Sequence, residues 1–307
     1  MRLFVWNKQL VNIVMHKAGF VNIVGNPNVG KSTLMNQLVG ERISIATFKA
    51  QTPRHRIMGI VNTEDCQLVF SDTPGVLKPN YKMQEMMLAF SESALKDADI
   101  LLYVTDVVEN PEKNIDFLDK VKQLPIPVIL LINKIDESEQ KKLGDLVTKW
   151  HALLPNAEIL PISAKNKFGT DILLKRVHEL LPESPAFFDK DQLTDKPAKF
   201  FVSEIIREKI LRYYDKEVPY SVEVVVERFK EDEKKIHINA IIYVERDSQK
   251  GIIIGHQWQA LKKVSTEARK SLEKFFDKRI YLETYVKVDK DWRNSQKELG
   301  NFGYNPE

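Results

Sequence analysis

The sequence contains a single cysteine among its 307 residues and no apolar stretch long enough to span a membrane. Cys66 has no partner in the chain, which excludes an internal disulfide. It lies in the apolar run from Cys66 to Phe70, which is typical of a strand. A buried thiol in a reducing compartment is the favoured interpretation, and a reactive thiol is the alternative.

A strong excess of charge of one sign is also missing. Lys and Arg number 46 against 43 Asp and Glu, a net charge of +3. This argues against a protein that is basic over its whole surface, so any nucleic-acid surface must be a local patch. Hydrophobic residues make up 43% and charged residues 29%, which indicates a packed protein and not a disordered one. The length suits two domains.

A complete phosphate-loop pattern, G-x-x-x-x-G-K-S, runs from Gly25 to Ser32. An apolar strand pattern precedes it from residue 19, and an amphipathic helix pattern follows. The glycines let consecutive backbone N–H groups face a polyphosphate at the start of a helix. Lys31 is predicted to reach the β- and γ-phosphate oxygens, and the Ser32 hydroxyl to bind Mg²⁺. The predicted nucleotide contacts of the loop are Asn26, Asn28, Val29, Gly30, Lys31, Ser32 and Thr33.

Short apolar runs alternate with amphipathic stretches up to residue 182, which predicts a doubly wound α/β sheet with its site at the carboxyl ends of the strands. Residues 181–197 contain three prolines and no apolar period, so we place a linker at 183–198. The predicted domains are 19–182 and 199–307, the latter ending in a tail. Residues 1–18 are predicted to be an extension, either disordered or the result of a misassigned start codon.

Two further motifs are predicted to meet the phosphate loop. The segment Asp72-Thr73-Pro74-Gly75 follows an apolar strand, so Asp72 can hold Mg²⁺ through a water and the Gly75 N–H can contact a γ-phosphate. The segment Asn133-Lys134-Ile135-Asp136 follows another strand, and Asp136 would accept hydrogen bonds from guanine N1–H and its N2 amine. Adenine lacks these donors, which favours GTP over ATP. Asn133, Lys134, Ser163, Ala164 and Lys165 complete the predicted base site, and an ATPase is the alternative.

The series GNPNVGKS, AQTPRHR, DTPG, NKID and SAK resembles the translation-factor-related GTPases, and with the second domain the chain resembles the Era family. The resemblance covers Gly19 to about Tyr304. It implies a doubly wound P-loop GTPase sheet followed by a smaller α+β type II KH domain. It also implies a first switch at Ala50 to Arg54 that closes on Mg²⁺ and the γ-phosphate.

Two positions of the first domain, 53 and 76, depart from the expected pattern, and position 28 matches that of some related GTPases. The family pattern has a second threonine where this chain has Pro53, so Thr52 is the predicted metal ligand and switch closure is in question. Val76 follows the D-T-P-G segment where many small GTPases have a water-orienting glutamine, which predicts slow intrinsic turnover. Asn28 is a candidate K⁺ ligand by similarity to related GTPases, and a simple turn residue is the alternative. The predicted catalytic set is Lys31, Thr52, Asp72 and Gly75.

The second domain reads as a helix, two alternating strands, helices and a last strand, which is similar to a type II KH domain. The corresponding loop, from Gly255 to Trp258, has tryptophan where the G-x-x-G pattern places glycine. Trp258 either stacks on a base or blocks the backbone approach that glycine allows, and we favour weakened binding. The predicted RNA contacts are Lys250, Gly255, His256, Gln257, Trp258, Lys262, Lys263 and Arg269.

Residues 256–279 hold seven Lys and Arg against three acids, a local excess of +4. The resemblance implies binding near the 3′ end of 16S ribosomal RNA, a site opened by GTP, and assistance in small-subunit assembly. It further implies a cytoplasmic monomer with peripheral association at the inner face of the cell membrane. The alternative is a GTPase switch whose degenerate KH domain serves mainly for protein contacts.

Overall fold

The computed structural model describes residues 16–305 except 48, 50 and 112. Residues 1–15 of the predicted extension therefore lie outside the described residues. The predicted boundary between the extension and the first domain was wrong. The first strand, β1, spans Lys17–Gly25 and so begins two residues before the predicted domain start at residue 19. Lys17 and Ala18 are held by backbone bonds from their N–H groups to Asp65 and Pro182.

The first domain is a six-stranded sheet. After β1 its strands are β2 (Ile57–Asn62), β3 (Cys66–Asp72), β4 (Ile100–Asp106), β5 (Val128–Asn133) and β6 (Glu158–Pro161). Their order is β2-β3-β1-β4-β5-β6, with β2 antiparallel to β3 and the other neighbours parallel. Helices cover both faces, so strands β3 and β4 are buried along their whole length. The helices are α1 (Lys31–Val39), α2 (Lys82–Lys96), α3 (Ile115–Lys122), α4 (Gln140–Leu153) and α5 (Thr170–Leu180).

This topology brings the predicted motifs to one edge of the sheet. The phosphate loop follows β1, Asp72 ends β3, and Asn133 ends β5. Because these strands are parallel neighbours in the order β3-β1-β4-β5, their carboxyl ends meet at the same edge. The predicted α/β fold of the first domain is confirmed.

The predicted linker is not a free connection. It lies against β2, the edge strand of the sheet, where the Ile60 N–H donates to the Leu193 carbonyl at 2.8 Å. The Thr194 hydroxyl donates to the Met58 carbonyl at 2.6 Å. An edge strand leaves a row of backbone groups unpaired, and the linker satisfies part of that row. The linker sequence has no apolar periodicity, so it gave no indication that the linker docks on β2.

The second domain contains a three-stranded sheet and three helices. The elements are α6 (Ala198–Tyr213), β7 (Glu223–Glu231), β8 (Lys235–Val244), α7 (Asp247–Ile254), α8 (Gln259–Phe276) and β9 (Arg279–Val288). The strand order is β7-β8-β9, with β7 and β8 antiparallel and β8 and β9 parallel. Helices α6 and α8 pack on one face, with the alternating residues of β8 pointing toward them. The predicted α+β order is confirmed.

Two details of the second domain differ from prediction. The spacing of Leu261, Val264, Ala268, Leu272 and Phe275 predicts one apolar face of α8, but Phe275 is 39% exposed. Its ring stacks on Phe201 of α6, and the next residue, Phe276, packs on Phe229 of β7. The predicted tail instead contains a helix, α9 (Gln296–Asn301), and buries Trp292 and Tyr304. These aromatic side chains lie too far apart in sequence to produce a periodic signal.

Within the described residues, no helix combines the length and apolarity that a membrane span requires.

Candidate nucleotide-binding and RNA-binding sites

The phosphate loop links β1 to α1 by a tight backbone path. Gly30 has φ 98°, and a Cβ at this position would lie 2.3 Å from the Asn133 Nδ2 atom. Asn133 in turn donates to the Val29 carbonyl at 2.8 Å. Only glycine fits here, because any side chain would displace the amide that joins the base-binding loop to the phosphate loop. The side chain of Asn133 therefore ties the base-binding loop to the phosphate loop.

Lys31 is buried, and its ammonium donates to the Gly25 and Asn26 carbonyls at 3.0 and 2.8 Å. Burial lowers the Lys31 pKa to about 8, opposed by the nearby charges of Asp72 and Glu109. The negative charge of a bound polyphosphate would stabilise the protonated form of the buried Lys31 ammonium. The Lys31 side chain is therefore held in the loop that it is predicted to serve.

The Asp72 carboxylate fits a magnesium site. Its Oδ2 accepts from the Ser44 hydroxyl at 2.7 Å, and its Oδ1 is buried without a hydrogen-bond partner. Burial raises the Asp72 pKa, and the charge of Lys31 and the nearby Ser32 hydroxyl oppose this effect. An orphaned carboxylate oxygen beside a serine hydroxyl is an arrangement that a hard cation completes. Ser32 and Asp72 thus lie together as predicted, and Ser44 was missed.

Thr52, the predicted third metal ligand, lies at the cavity of about 310 Å³ next to the phosphate loop. Its hydroxyl is 3.2 Å from that of Thr47 and donates to the Lys49 carbonyl. Asn28, Gly30, Lys31, Ser32, Thr33 and Lys134 also line this cavity. The role of Thr52 as a ligand stays a prediction, and Thr47 is a second hydroxyl that the sequence analysis did not identify.

Gly75 and Val76 pack directly on the phosphate loop. A Cβ at Gly75 would lie 2.6 Å from the Pro27 nitrogen, and the Val76 N–H donates to the Gly25 carbonyl at 3.0 Å. The Val76 side chain is 4% exposed and belongs to the core. No side chain at these two positions can therefore hold an attacking water.

The base-binding groups converge at the ends of β5 and β6. The Ser163 hydroxyl donates to Asp136 Oδ1 at 2.6 Å, which fixes one oxygen of the carboxylate. The segment from Ser163 to Lys165 is predicted to offer a backbone N–H to guanine O6, and within it the Ala164 N–H donates to Asn133 Oδ1 at 2.9 Å. Within residues 163–165, all of which the structure describes, the Lys165 N–H is the one backbone donor without a protein acceptor.

Two carboxylates, one at the end of β4 and one in the loop after it, were not predicted from the sequence. Asp106 Oδ2 accepts from the Lys134 ammonium at 2.5 Å and so positions the base-binding loop. Glu109 accepts from the Asn26 amide and from Thr105, so the Asn26 side chain is held by the loop after β4. The Asn26 backbone remains in the phosphate loop. The position of Asp106 at the end of a buried parallel strand was the available signal.

The segment before β2 that corresponds to the first switch is built into the domain interface. Arg42 pairs with the buried Glu208 of α6 at 2.6 Å. Arg207 of the same helix donates to the Gln51 carbonyl at 3.2 Å while forming a two-bond pair with Glu204. The charges of Glu208 and Arg207, which would be costly to bury alone, are thus paired at this interface.

Arg54 crosses the same interface and is 1% exposed. Its guanidinium donates to the Val222 carbonyl at 2.6 Å, the Tyr220 carbonyl at 3.0 Å and the Glu223 carboxylate at 3.1 Å. Glu223 also accepts from the Tyr304 hydroxyl at 2.7 Å. A residue three positions before β2 is therefore held by the start of β7 and the C-terminal segment of the second domain.

His55 supplies a pH-dependent element of this interface. Its ring packs 4.4 Å from that of Tyr304, and its Nδ1 is sealed from solvent without a partner. Burial lowers the His55 pKa below its ordinary value of 6.5, opposed by Glu223 and Glu204. Between the lowered pKa and 6.5 the unfolded chain binds more protons, so stability must fall as the pH drops through this window.

We expect the urea midpoint to decrease below about pH 6.5, and less so in His55→Phe. His151→Gln, at an exposed position on α4, is the control for histidine number and should behave like the original chain. Equal pH dependence in all three proteins would contradict the assignment.

The predicted RNA loop lies between α7 and α8. Gly255 has φ 71°, and the next turn carries two side-chain-bearing residues at positive φ, Gln257 at 47° and Trp258 at 65°. Trp258 is 63% exposed. The backbone therefore keeps a conformation that suits glycine while the indole projects into solvent.

The basic residues of this region differ in their partners and in their distance from the loop. Arg269 pairs with Glu273 at 2.8 Å and lies about 15 Å along α8 from the loop. The Lys263 ammonium lies 4.5 Å from the centre of the Tyr213 ring. Lys262 is exposed, and Lys250 and His256 flank the same loop. The structure groups the residues around 250–263 and separates Arg269, whose role stays a prediction.

Two family models match the chain. One, described as a 50S ribosome-binding GTPase, matches residues 20–134, and a KH-domain model matches residues 217–293. Two sequences of GTPase Era from Clostridium kluyveri are each 44% identical to this chain over 292 residues, covering 94% of this chain and 100% of the relatives.

Two solved structures superimpose on the chain with a TM-score of 0.90 and 37% identity, covering 94% of this chain and 99% of theirs. One is Era in complex with MgGDPNP and nucleotides 1506–1542 of 16S ribosomal RNA. The other is an Aquifex aeolicus Era variant with a tyrosine replaced by alanine, bound to GDP and AlF4⁻.

Proposed function

This chain belongs to the Era family of GTPases, and we propose that it is a GTP-hydrolysing switch that binds 16S ribosomal RNA near its 3′ end and assists small-subunit assembly. The observation that carries the link between nucleotide and RNA is Arg54. This residue of the first-switch segment is buried in carbonyl and carboxylate groups of the second domain. A rearrangement of the switch must therefore break or move contacts of the KH domain.

In this proposal each group of the nucleotide site has a defined task. The backbone of the phosphate loop and Lys31 bind the phosphates, and Asp136 selects guanine. Ser32 and Asp72 hold Mg²⁺, which when bound supplies positive charge to the phosphate oxygens. Position 76 is a buried valine, which has no carboxamide that could orient water. Intrinsic hydrolysis is slow, and the protein serves to time an RNA-binding event.

A monovalent cation is one source of the missing activation. Asn28 is exposed at the rim of the phosphate cavity with φ 67°. Its amide oxygen can contribute to a K⁺ site beside the phosphates. We expect GTP turnover to be about tenfold faster in KCl than in NaCl, the effect of a modest added positive charge at the transition state.

The measurement is phosphate release at constant ionic strength. Asn28→Ala should lose the difference between the two salts while still binding GDP. Equal rates of the original chain in K⁺ and Na⁺ would remove the cation site from the proposal and leave the GTPase assignment intact.

Replacing Trp258 tests the RNA loop. We expect Trp258→Gly to bind an oligonucleotide of the 16S rRNA 3′ end about tenfold more tightly, because a phosphate can then regain one backbone hydrogen bond worth about 1.5 kcal/mol. Trp258→Ala is the matched control, since it removes the indole but keeps the Cβ atom. If the indole stacks on a base, both variants will bind more weakly, and the blocking interpretation will be wrong.

The proposed function itself is tested by salt-dependent binding of the same oligonucleotide with a GTP analogue and with GDP. Phosphate contacts predict an affinity that falls steeply with salt, and Arg54 predicts a difference between the two nucleotides. Binding that is absent with both nucleotides would favour the alternative, a KH domain used mainly for protein contacts. We infer a cytoplasmic location from the proposed RNA partner, and peripheral membrane association stays an expectation from the resemblance.

A further inference from the structure

A second cluster of metal-binding side chains lies at the opposite edge of the first-domain sheet. Asp65, Cys66 and His178 place a carboxylate oxygen, the sulfur and a ring nitrogen within 4.8 Å of one another. The His178 Nε2 atom is 3.1 Å from Asp65 Oδ2. Cys66 begins β3 and Asp72 ends it, so the cluster lies about 20 Å from the magnesium site. It is therefore separate from the nucleotide chemistry.

The chemistry of the three donors is selective. Thiolate, imidazole and carboxylate together suit a borderline-soft divalent ion such as Zn²⁺ and do not suit Mg²⁺, which prefers oxygen. Cys66 is buried, while the His178 and Asp65 side chains are each 42% exposed. We propose that Asp65, Cys66 and His178 form a tetrahedral Zn²⁺-type site with its fourth position open to water.

The geometry needs only a small contraction. Zinc bonds of about 2.0–2.3 Å place tetrahedral donors roughly 3.3–3.7 Å apart, so donors that lie within 4.8 Å of one another must move closer by about 1.5 Å at most. Cys66 is fixed in the strand, but the half-exposed His178 and Asp65 can rotate toward it without disturbing the core. Without a metal, the exposed pair of His178 and Asp65 contributes little to stability.

Thr63 holds the cluster in place. Its hydroxyl donates to Asp65 Oδ1 at 2.8 Å, accepts from the Cys66 N–H at 3.0 Å and lies 3.1 Å from the Cys66 sulfur. These bonds leave Asp65 Oδ2 facing His178. Outer groups that orient ligands in this way are typical of built metal sites. A bound ion would join the turn between β2 and β3 to α5, next to the start of the linker.

The experiment uses the untagged full-length protein saturated with Mg·GDP, so that the nucleotide site is occupied. Titration with Co²⁺ should produce thiolate charge-transfer and tetrahedral ligand-field bands at a stoichiometry of one, and Zn²⁺ should displace them. His178→Gln should weaken binding roughly a hundredfold or more, and Thr63→Val about tenfold, since loss of an outer partner costs about 10- to 100-fold. His151→Gln is the control and should not change binding.

Cys66→Ser should abolish the charge-transfer band. If this core variant fails to fold, the surface variant His178→Gln still decides the outcome, and GDP binding reports that the fold is intact. Absence of tetrahedral bands in the original chain, or bands that persist unchanged in His178→Gln, would overturn the proposal.

Discussion

Asp136→Asn is expected to lower the affinity for GTP by about 30- to 5,000-fold and to create affinity for xanthosine triphosphate. The carboxylate accepts from guanine N1–H and the N2 amine. An asparagine side chain would place its NH2 group against one of these two donors, so that two donors face each other. An unpaired buried donor of this kind costs about 2–5 kcal/mol. Xanthine has a carbonyl at position 2, which the asparagine amide can satisfy.

The structure strengthens this expectation because the carboxylate has little freedom. Ser163 donates to Asp136 Oδ1, and the Lys134 ammonium is held by Asp106. The loop therefore cannot rearrange cheaply to present another acceptor to guanine. Calorimetric titration with GTP, XTP and ATP measures the change directly.

Glu137→Gln provides a matched control, since Glu137 is an acid on the same short turn and lines the phosphate cavity. It should retain the preference for GTP over ATP. Equal affinities of the original chain for GTP and ATP would refute the role of Asp136, as would an unchanged GTP affinity in Asp136→Asn.

The nucleotide site could be predicted closely from the sequence because its parts are local. A strand, a turn and a polar residue at the strand end form a signal within a few positions, as at Asn133 and Asp72. Parallel strands then bring these ends together without further information. Even here the partner of the Ala164 N–H was not predictable, since it depends on how two loops pack.

The domain interface could not be predicted from the sequence, because its contacts join residues that are far apart in the chain. Arg54 binds residues 165–169 positions away, and Tyr304 returns from the C-terminal end of the chain to the same carboxylate. Each of these side chains looks like an ordinary polar or aromatic residue in its own neighbourhood. The cluster of Asp65, Cys66 and His178 has the same character, because its members are joined only when α5 packs beside β3.

Arg54→Ala is expected to lower the free energy of unfolding by about 3–5 kcal/mol, the cost of leaving one partner of a buried ion pair alone. The Glu223 carboxylate would keep the Tyr304 hydroxyl but lose its cationic partner, and the Val222 and Tyr220 carbonyls would lose their donor. Urea unfolding measures the change. Adding Glu223→Gln should recover part of the loss, because the uncompensated charge is then removed.

The same variant tests the coupling between nucleotide and RNA. If Arg54 transmits the state of the switch, Arg54→Ala should reduce the difference in RNA affinity between the GTP-analogue and GDP forms. Arg56→Ala is the control from the same segment, since Arg56 binds Asp97, Ser71 and Asn22 inside the first domain. It should keep the nucleotide-dependent difference. A variant at Arg54 that unfolds more easily yet preserves that difference would limit this arginine to a structural role, and the switch would then have to act on the KH domain through the contacts of α6 with Arg42 and Gln51.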